Sequence, residues 1–202
     1  MARIIHDTSA ILDAAVRLLD SGSVADITMA AVIREAGVSS GSVYHRFSDR
    51  GALLGTVWNR AVERFHAGAY PLFDAEPIEA ASRLARYTVE WCAANPGDAR
   101  VLLAGARQFA PDSWPAELGK ARGVEQDRWD AHIRTLVRDL RAATGHATTA
   151  LLLIVVDLPY AAVRRYLASG ASVPADLGPL VQAMVTQALA SLRDIGDSGA
   201  LC

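Results

Sequence analysis

The most chemically suggestive stretch of this sequence is a run of small hydroxyl-bearing residues followed by two polar rings. Residues 39–45 read Ser39-Ser40-Gly41-Ser42-Val43-Tyr44-His45. The hydroxyls of Ser39, Ser40 and Ser42, with the spare backbone N–H groups of a helix start, can donate hydrogen bonds to phosphate oxygens. Gly41 and the serines keep that surface low, so the backbone can approach a groove closely. Tyr44 and His45 then stand exposed at the end of this surface. Arg46 fits a surface ion pair as well as a phosphate contact. Each ring also has a plainer reading, Tyr44 and Phe47 as core aromatics and His45 as a solvated surface histidine; spacing puts Phe47 inside and Tyr44 outside. Nothing comparable supports catalysis, since there is no Gly-rich phosphate loop, nucleophile elbow or His-Glu-x-x-His. His6, His45, His66, His132 and His146 are scattered, and none pairs at metal-ligand spacing with a cysteine. The expectation is no catalytic residue, no metal and no cofactor.

Such a surface needs a helix to carry it and a second helix to hold that one at an angle. Thr28 can cap a short helix with an apolar face of Met29, Val32 or Ile33, and Ala36. Gly37 supplies the positive φ that ends it, and Val38 plugs the turn. Ser39 caps the next helix, whose Val43 and Phe47 point inward. Two short helices joined at a glycine turn, the second with a polar outer face, make a helix-turn-helix.

From Ile11 to Leu54 the sequence resembles the DNA-binding region of the tetracycline-repressor (TetR) family of bacterial regulators. The resemblance rests on Ile11-Leu12-Asp13-Ala14-Ala15, Gly22, Ile27-Thr28, Ala36-Gly37-Val38-Ser39, Val43-Tyr44-His45-Arg46-Phe47 and Asp49-Arg50-Gly51-Ala52-Leu53-Leu54. It implies that residues 39–45 lie in the major groove and that Thr28, Ser39, Ser40, Gly41, Ser42, Tyr44, His45 and Arg50 form the DNA-binding set. Arg50 stands where that family usually has a lysine, and Gly51 where it has a helix-favouring residue, so a looser start to the fourth helix is expected. The resemblance further implies a homodimer on a palindromic operator, usually a repressor.

The charge balance runs against a strongly basic DNA-binding head. The 202 residues carry 20 bases and 22 acids, a net charge of −2. Residues 1–56 contain Arg3, Arg17, Arg34, Arg46 and Arg50 against Asp7, Asp13, Asp20, Asp26, Glu35 and Asp49. Distribution rescues the reading, because Arg46, Arg50 and His45 flank the recognition helix while Asp7, Asp13 and Asp20 lie on the first. The two cysteines, Cys92 and Cys202, are too few for a disulfide framework. The longest apolar run, residues 150–156, is far short of the about 20 that span a membrane. With no apolar leader behind Met1, the expectation is a cytoplasmic protein with no membrane partner.

Helical periodicity runs through the remaining chain, so the expected fold is all-α: an N-terminal three-helix DNA-binding domain plus a C-terminal helical domain for ligand binding and dimerisation. The expected division is 1–48 for the helix-turn-helix domain, 49–69 for a connecting helix, 70–195 for the second domain and 196–202 for a flexible tail. Trp58, Phe65, Tyr70, Tyr87, Trp91, Phe109, Trp114, Trp129 and Tyr160, interspersed with alanines, can line a cavity for a small organic effector or simply form the core. The expected ligand set is Trp58, Phe65, Trp91, Phe109, Trp114, Trp129, Asp157 and Tyr160, with Phe109–Pro115 as a lid. Asp157 interrupts an apolar stretch and, if buried, needs a partner such as Arg107 or a cationic ligand group. Pro159 should kink its helix, and Pro174 should open the last one. The two last helices, about 148–169 and 174–194, have wide apolar faces that a two-fold mate would bury. The alternative is a DNA-binding dimer without an effector.

Overall fold

The computed structural model of the chain describes residues 8–20 and 22–191 and contains, among them, helices and turns without a strand. The all-α expectation is met. The α-helices are α1 (Thr8–Arg17), α2 (Met29–Ala36), α3 (Ser40–Tyr44), α4 (Arg50–Ala69), α5 (Pro77–Ala94), α6 (Pro96–Ala104), α7 (Ala116–Thr144), α8 (Thr148–Leu152), α9 (Leu158–Ser169) and α10 (Leu177–Ser191). Short 3-10 turns occur at Val24–Asp26, Tyr70–Asp74, Ala106–Phe109 and Pro111–Ser113. The proposed Asp7 cap and the 196–202 tail lie outside the described residues.

The chain forms two compact units, and neither is a continuous segment. The first takes the residues up to Arg64 together with Gly97–Glu125, the second Phe65–Pro96 with the residues from Gln126 onward. This differs from the division at residue 48, for a reason visible in the first unit's core. Ile11, Ala15 and Val16 of α1, Val32 of α2, Val43 of α3 and Leu53, Leu54 and Val57 of α4 bury their side chains together with Val101, Phe109 and Trp114. Fully burying a side chain such as Phe109 is worth about 1.5–3 kcal/mol. The 97–114 segment is therefore part of the scaffold under the short helices.

That packing corrects the lid expected at Phe109–Pro115. Phe109 is fully buried and Trp114 nearly so, and the Trp114 indole N–H donates to the Phe109 carbonyl at 2.7 Å. The turn rests on the first turns of α4, where Gly51 and Gly55 leave room for it. A Cβ on Gly51 would collide with the Ser113 carbonyl oxygen, and one on Gly55 would come within 2.9 Å of the Trp114 ring. Gly51 is thus a packing requirement of a buried helix start.

In the second unit α5 packs against α10 and α9, burying Ala81, Ala85 and Val89 of α5 and Val181, Val185 and Leu189 of α10. The buried His146 donates from Nε2 to the Leu189 carbonyl at 3.2 Å. Cys92 is buried on α5, and burial pushes its thiol pKa up to about 12. The same desolvation, with a smaller contribution from the charge of Cys92, raises Tyr87 to about 12; its hydroxyl donates to the Phe65 carbonyl at 2.7 Å.

Pro159 acts one turn upstream of its own position. Between α8 and α9 the chain makes a π-helical turn, Leu153–Asp157, in which the Leu158 N–H reaches back to the Leu153 carbonyl. A proline cannot donate to the carbonyl four residues back and its ring crowds that turn, so the widened turn absorbs the mismatch. Asp157, at the end of this turn, is exposed, as is Arg107. The buried carboxylate needing a partner is therefore corrected: the apolar run turns one edge to solvent, and Asp157 sits on it. Pro174 does not open the last helix either. Its carbonyl accepts the Leu177 N–H at 3.2 Å in the preceding turn, and α10 starts at Leu177.

Candidate nucleic-acid interface

The turn between α2 and α3 is built as the residue types dictate. Thr28 accepts the Ala31 N–H at 3.1 Å and so caps α2. At the other end Gly37 adopts φ 65°, its N–H donating to the Arg34 carbonyl while that of Val38 reaches the Ile33 carbonyl. This paired closure needs a left-handed residue at its centre, which a Cβ would strain. Val38 is buried in the angle it creates. Ser39 caps α3 by accepting the Ser42 N–H at 3.3 Å, and the chain returns through Val43 and Phe47, both buried.

What faces solvent on α3 is the set singled out by sequence. Ser39, Ser40, Gly41, Tyr44 and His45 are exposed, Tyr44 by 53%, and Ser42 is half-buried. Capping uses an acceptor lone pair on Thr28 and on Ser39, which leaves each O–H able to donate outward. A Cβ added at Gly41 would meet nothing within 4 Å. No internal contact therefore demands glycine there; the small residue keeps an outward surface low. Tyr44 and His45 rise beside it.

Two arginines have other duties. The Arg50 guanidinium turns inward, donating from Nε to the Ile27 carbonyl at 2.7 Å and from Nη2 to the Val24 carbonyl at 2.8 Å. Arg50, expected as a phosphate contact, thus has a scaffolding duty: it pins the start of α4 to the turn preceding α2. A fork-shaped donor spans both carbonyls, as a lysine ammonium would not. Arg46, which the expected DNA-binding set omitted, reaches back along α3 and donates from Nη1 to the Ser42 carbonyl at 2.9 Å and to its hydroxyl at 3.0 Å. It fixes the Ser42 rotamer and leaves positive charge beside the exposed face.

The acidic excess in the first 56 residues is largely consumed inside the unit. Asp13 pairs with Arg60 at 2.7 Å, Asp20 with Arg100 at 2.6 Å and Glu35 with Arg17 at 2.7 Å. Asp98, buried to 5% exposure, takes Arg64 at 2.7 Å and Arg60 at 3.6 Å, so α1, α4 and α6 share one ionic network. Asp26 binds the backbone N–H and hydroxyl of Ser23, which hold its carboxyl below the usual range. Asp49 caps α4 through the Ala52 N–H at 2.8 Å and takes the Ser48 hydroxyl at 3.0 Å, with the same effect. The partners of Asp13 and Asp20, Arg60 and Arg100, lie beyond residue 56, out of reach of a local charge count.

The eight expected ligand residues are shared between the two units. Trp58, Phe109 and Trp114 belong to the first unit's core, with Trp58 and Phe109 centroids 5.5 Å apart. Phe65, Trp91 and Trp129 cluster in the second unit, Phe65 lying 5.2 Å from Trp91 and 5.8 Å from Trp129. Asp157 and Tyr160 are exposed on the α8–α9 side. The Trp129 ring also stacks on the buried His66 at 4.1 Å and 3°. Beside this cluster a cleft of about 290 Å³ is lined by Phe73, Asp74, Ala75, Pro77, Ala131, His132, Thr135, Leu136 and Asp139. None of the eight lines it, and nothing in the sequence flags residues that distant neighbours bring together. Among the described residues no cluster of His, Cys, Asp or Glu could hold a metal ion. No single helix among them is long and apolar enough to cross a membrane.

Residues 11–57 match the model of the bacterial regulatory proteins of the tetR family. The fold resembles that of FadR from Bacillus subtilis, a transcriptional regulator seen in complex with stearoyl-CoA, at TM-score 0.68 and 16% identity over 92% of this chain and 98% of that one. A TetR-like regulator from Rhodococcus sp. RHA1 gives TM-score 0.68 and 21% identity over 95% and 99% of the two chains. A TetR-family regulator from Marinobacter aquaeolei VT8 gives 0.66 and 18% over 89% and 93%. No curated protein matches this chain.

Proposed function

We propose that this tetR-family transcriptional regulator works in the cytoplasm as a homodimer that binds a palindromic operator, represses from it, and releases it when a small organic effector binds. The observation that carries the reading is the exposed α3 surface of Ser39, Ser40, Gly41, Tyr44 and His45, held over a fully packed core. In this reading α3 enters the major groove, Thr28 and Ser39 donate to phosphates, and Tyr44 and His45 contact phosphates or base edges. Nothing in it requires the protein to be an enzyme.

Dimerisation is supported by an apolar face in search of cover. Leu152, Leu153, Val156 and Tyr160 on the α8–α9 side and Leu180 and Met184 on α10 are all exposed large apolar residues. A two-fold partner burying them would set two α3 helices one or more turns of DNA apart. Effector release needs differential binding: an effector favouring the released state by about 1–3 kcal/mol gives a 5–150-fold loss of operator affinity. The lever would be α4, which gives Arg50–Arg64 to the first unit and its last residues to the second.

Genomic footprinting of the protein tests the reading directly. Protection of palindromic sites, with affinity lost on Tyr44→Ala and His45→Ala but thermal stability kept, is the expected result. Binding that ignores sequence, or survives both substitutions, overturns it.

A further inference from the structure

The cleft in the second unit has a consistent chemistry. Its apolar wall is Phe73, Ala75, Pro77, Ala131 and Leu136, and its polar groups are Asp74, Asp139, Thr135 and His132. The carboxylates of Asp74 and Asp139 are acceptors. Asp139 gives one oxygen to Arg138 at 2.8 Å, on a side chain 72% exposed, and keeps the other. Among the described residues the Asp74 carboxylate makes no ion pair and no hydrogen bond. His132 joins them by elimination: its Nδ1 lies 2.9 Å from the Arg128 carbonyl, which can only accept. Nδ1 therefore carries a hydrogen, and Nε2 is the ring's acceptor in the neutral imidazole. Apart from the Thr135 hydroxyl, which can do either, the lining with a neutral His132 ring offers acceptors.

The neighbouring rings suit a cation. Phe73 and Tyr70 flank the His132 ring at 5.1 and 4.9 Å, and the protein already seats its own Arg128 guanidinium over the Tyr70 face at 3.9 Å. Ring faces beside carboxylates attract positive charge, and the apolar wall asks for a hydrocarbon body. The volume is at the small end of ligand sites.

We infer that this cleft binds a small organic amine in its protonated form, its apolar or aromatic body against Phe73, Pro77 and Leu136 and its ammonium between Asp74, Asp139 and Nε2 of His132. An anionic ligand would meet two carboxylates and no arginine or lysine in the lining. This deepens the effector-responsive reading, on which its regulatory meaning rests; binding itself does not depend on it.

The full-length protein is titrated calorimetrically with 2-phenylethylamine and cyclohexylmethylamine, against 2-phenylethanol and 3-phenylpropionate. Both amines should bind at least about tenfold more tightly than the alcohol and the carboxylate. Asp74→Asn should weaken amine binding roughly fivefold and leave the alcohol unchanged, as expected for loss of one partly solvated charge contact. Thr135→Tyr, which fills the cleft from an exposed position, should abolish amine binding at unchanged thermal midpoint. Amines that bind no better than the alcohol, or that keep their affinity in both variants, overturn the inference. A parallel measurement of affinity for a footprinted operator separates the two claims: amine binding without operator release leaves the site standing and removes its regulatory role.

Discussion

At the scale of single residues, position on the surface separates reading from scaffolding. Tyr44 ends a five-residue helix and His45 follows it, both with exposed side chains, so truncating either should cost DNA affinity and little else. We expect each alanine variant to bind operator about 5–100-fold more weakly in anisotropy titrations, as for loss of one phosphate or base contact. Arg50→Lys should do the reverse. It breaks the two-carbonyl clamp on Val24 and Ile27 and should lower unfolding free energy by about 1–2 kcal/mol in denaturant titrations. The capping carboxylate of Asp49 gives a pH signature. The Ala52 N–H and then the Ser48 hydroxyl lower its folded pKa, so its contribution is complete above the ordinary carboxylate value and vanishes as pH falls through the folded one. The stability gap between wild type and Asp49→Asn, which keeps the cap but not the charge, should be constant from about pH 5 upward and close as pH falls below the ordinary carboxylate value. Sequence spacing was enough to turn Val43 and Phe47 inward and Tyr44 outward, because helical periodicity fixes facing. It could not foresee Arg50, whose partners are backbone carbonyls more than twenty positions earlier.

At the scale of elements, local signals set the ends of helices and tertiary contacts set their company. The Thr28, Gly37 and Ser39 caps and the Pro77 and Pro96 helix starts follow from side-chain chemistry alone. The burial of the 106–114 turns does not, because its cause is a pair of glycines on α4. Gly51→Ala should therefore destabilise the protein by about 2 kcal/mol by forcing α4 and the Ser113 carbonyl apart, measured as a lowered thermal midpoint. The same change at Gly41, where a Cβ meets nothing, should leave that midpoint almost unaltered while weakening DNA binding. Asp157 misled for a related reason. An apolar run implies burial only if every face of the helix is covered within one chain, and here Leu153, Val156 and Asp157 share the uncovered side.

At the scale of the whole molecule, the exposed apolar residues and the balanced charge make separate statements. Leu153→Glu combined with Met184→Glu should yield a monomer by sedimentation, with operator affinity reduced far more than either head alone would explain. The salt dependence of operator binding should be shallow, at no more than about 8 phosphates neutralised per dimer, because most arginines around the head are already spoken for by Asp13, Asp20, Glu35 and Asp98. The first unit is assembled from two stretches of chain, with Val101, Phe109 and Trp114 wedged beneath helices that precede them. During synthesis, then, the reading helix emerges early but stays without its foundation until residue 125 has left the ribosome. Fusing only the first 57 residues to another protein would transplant the letters of the address and leave behind the page on which they are held flat.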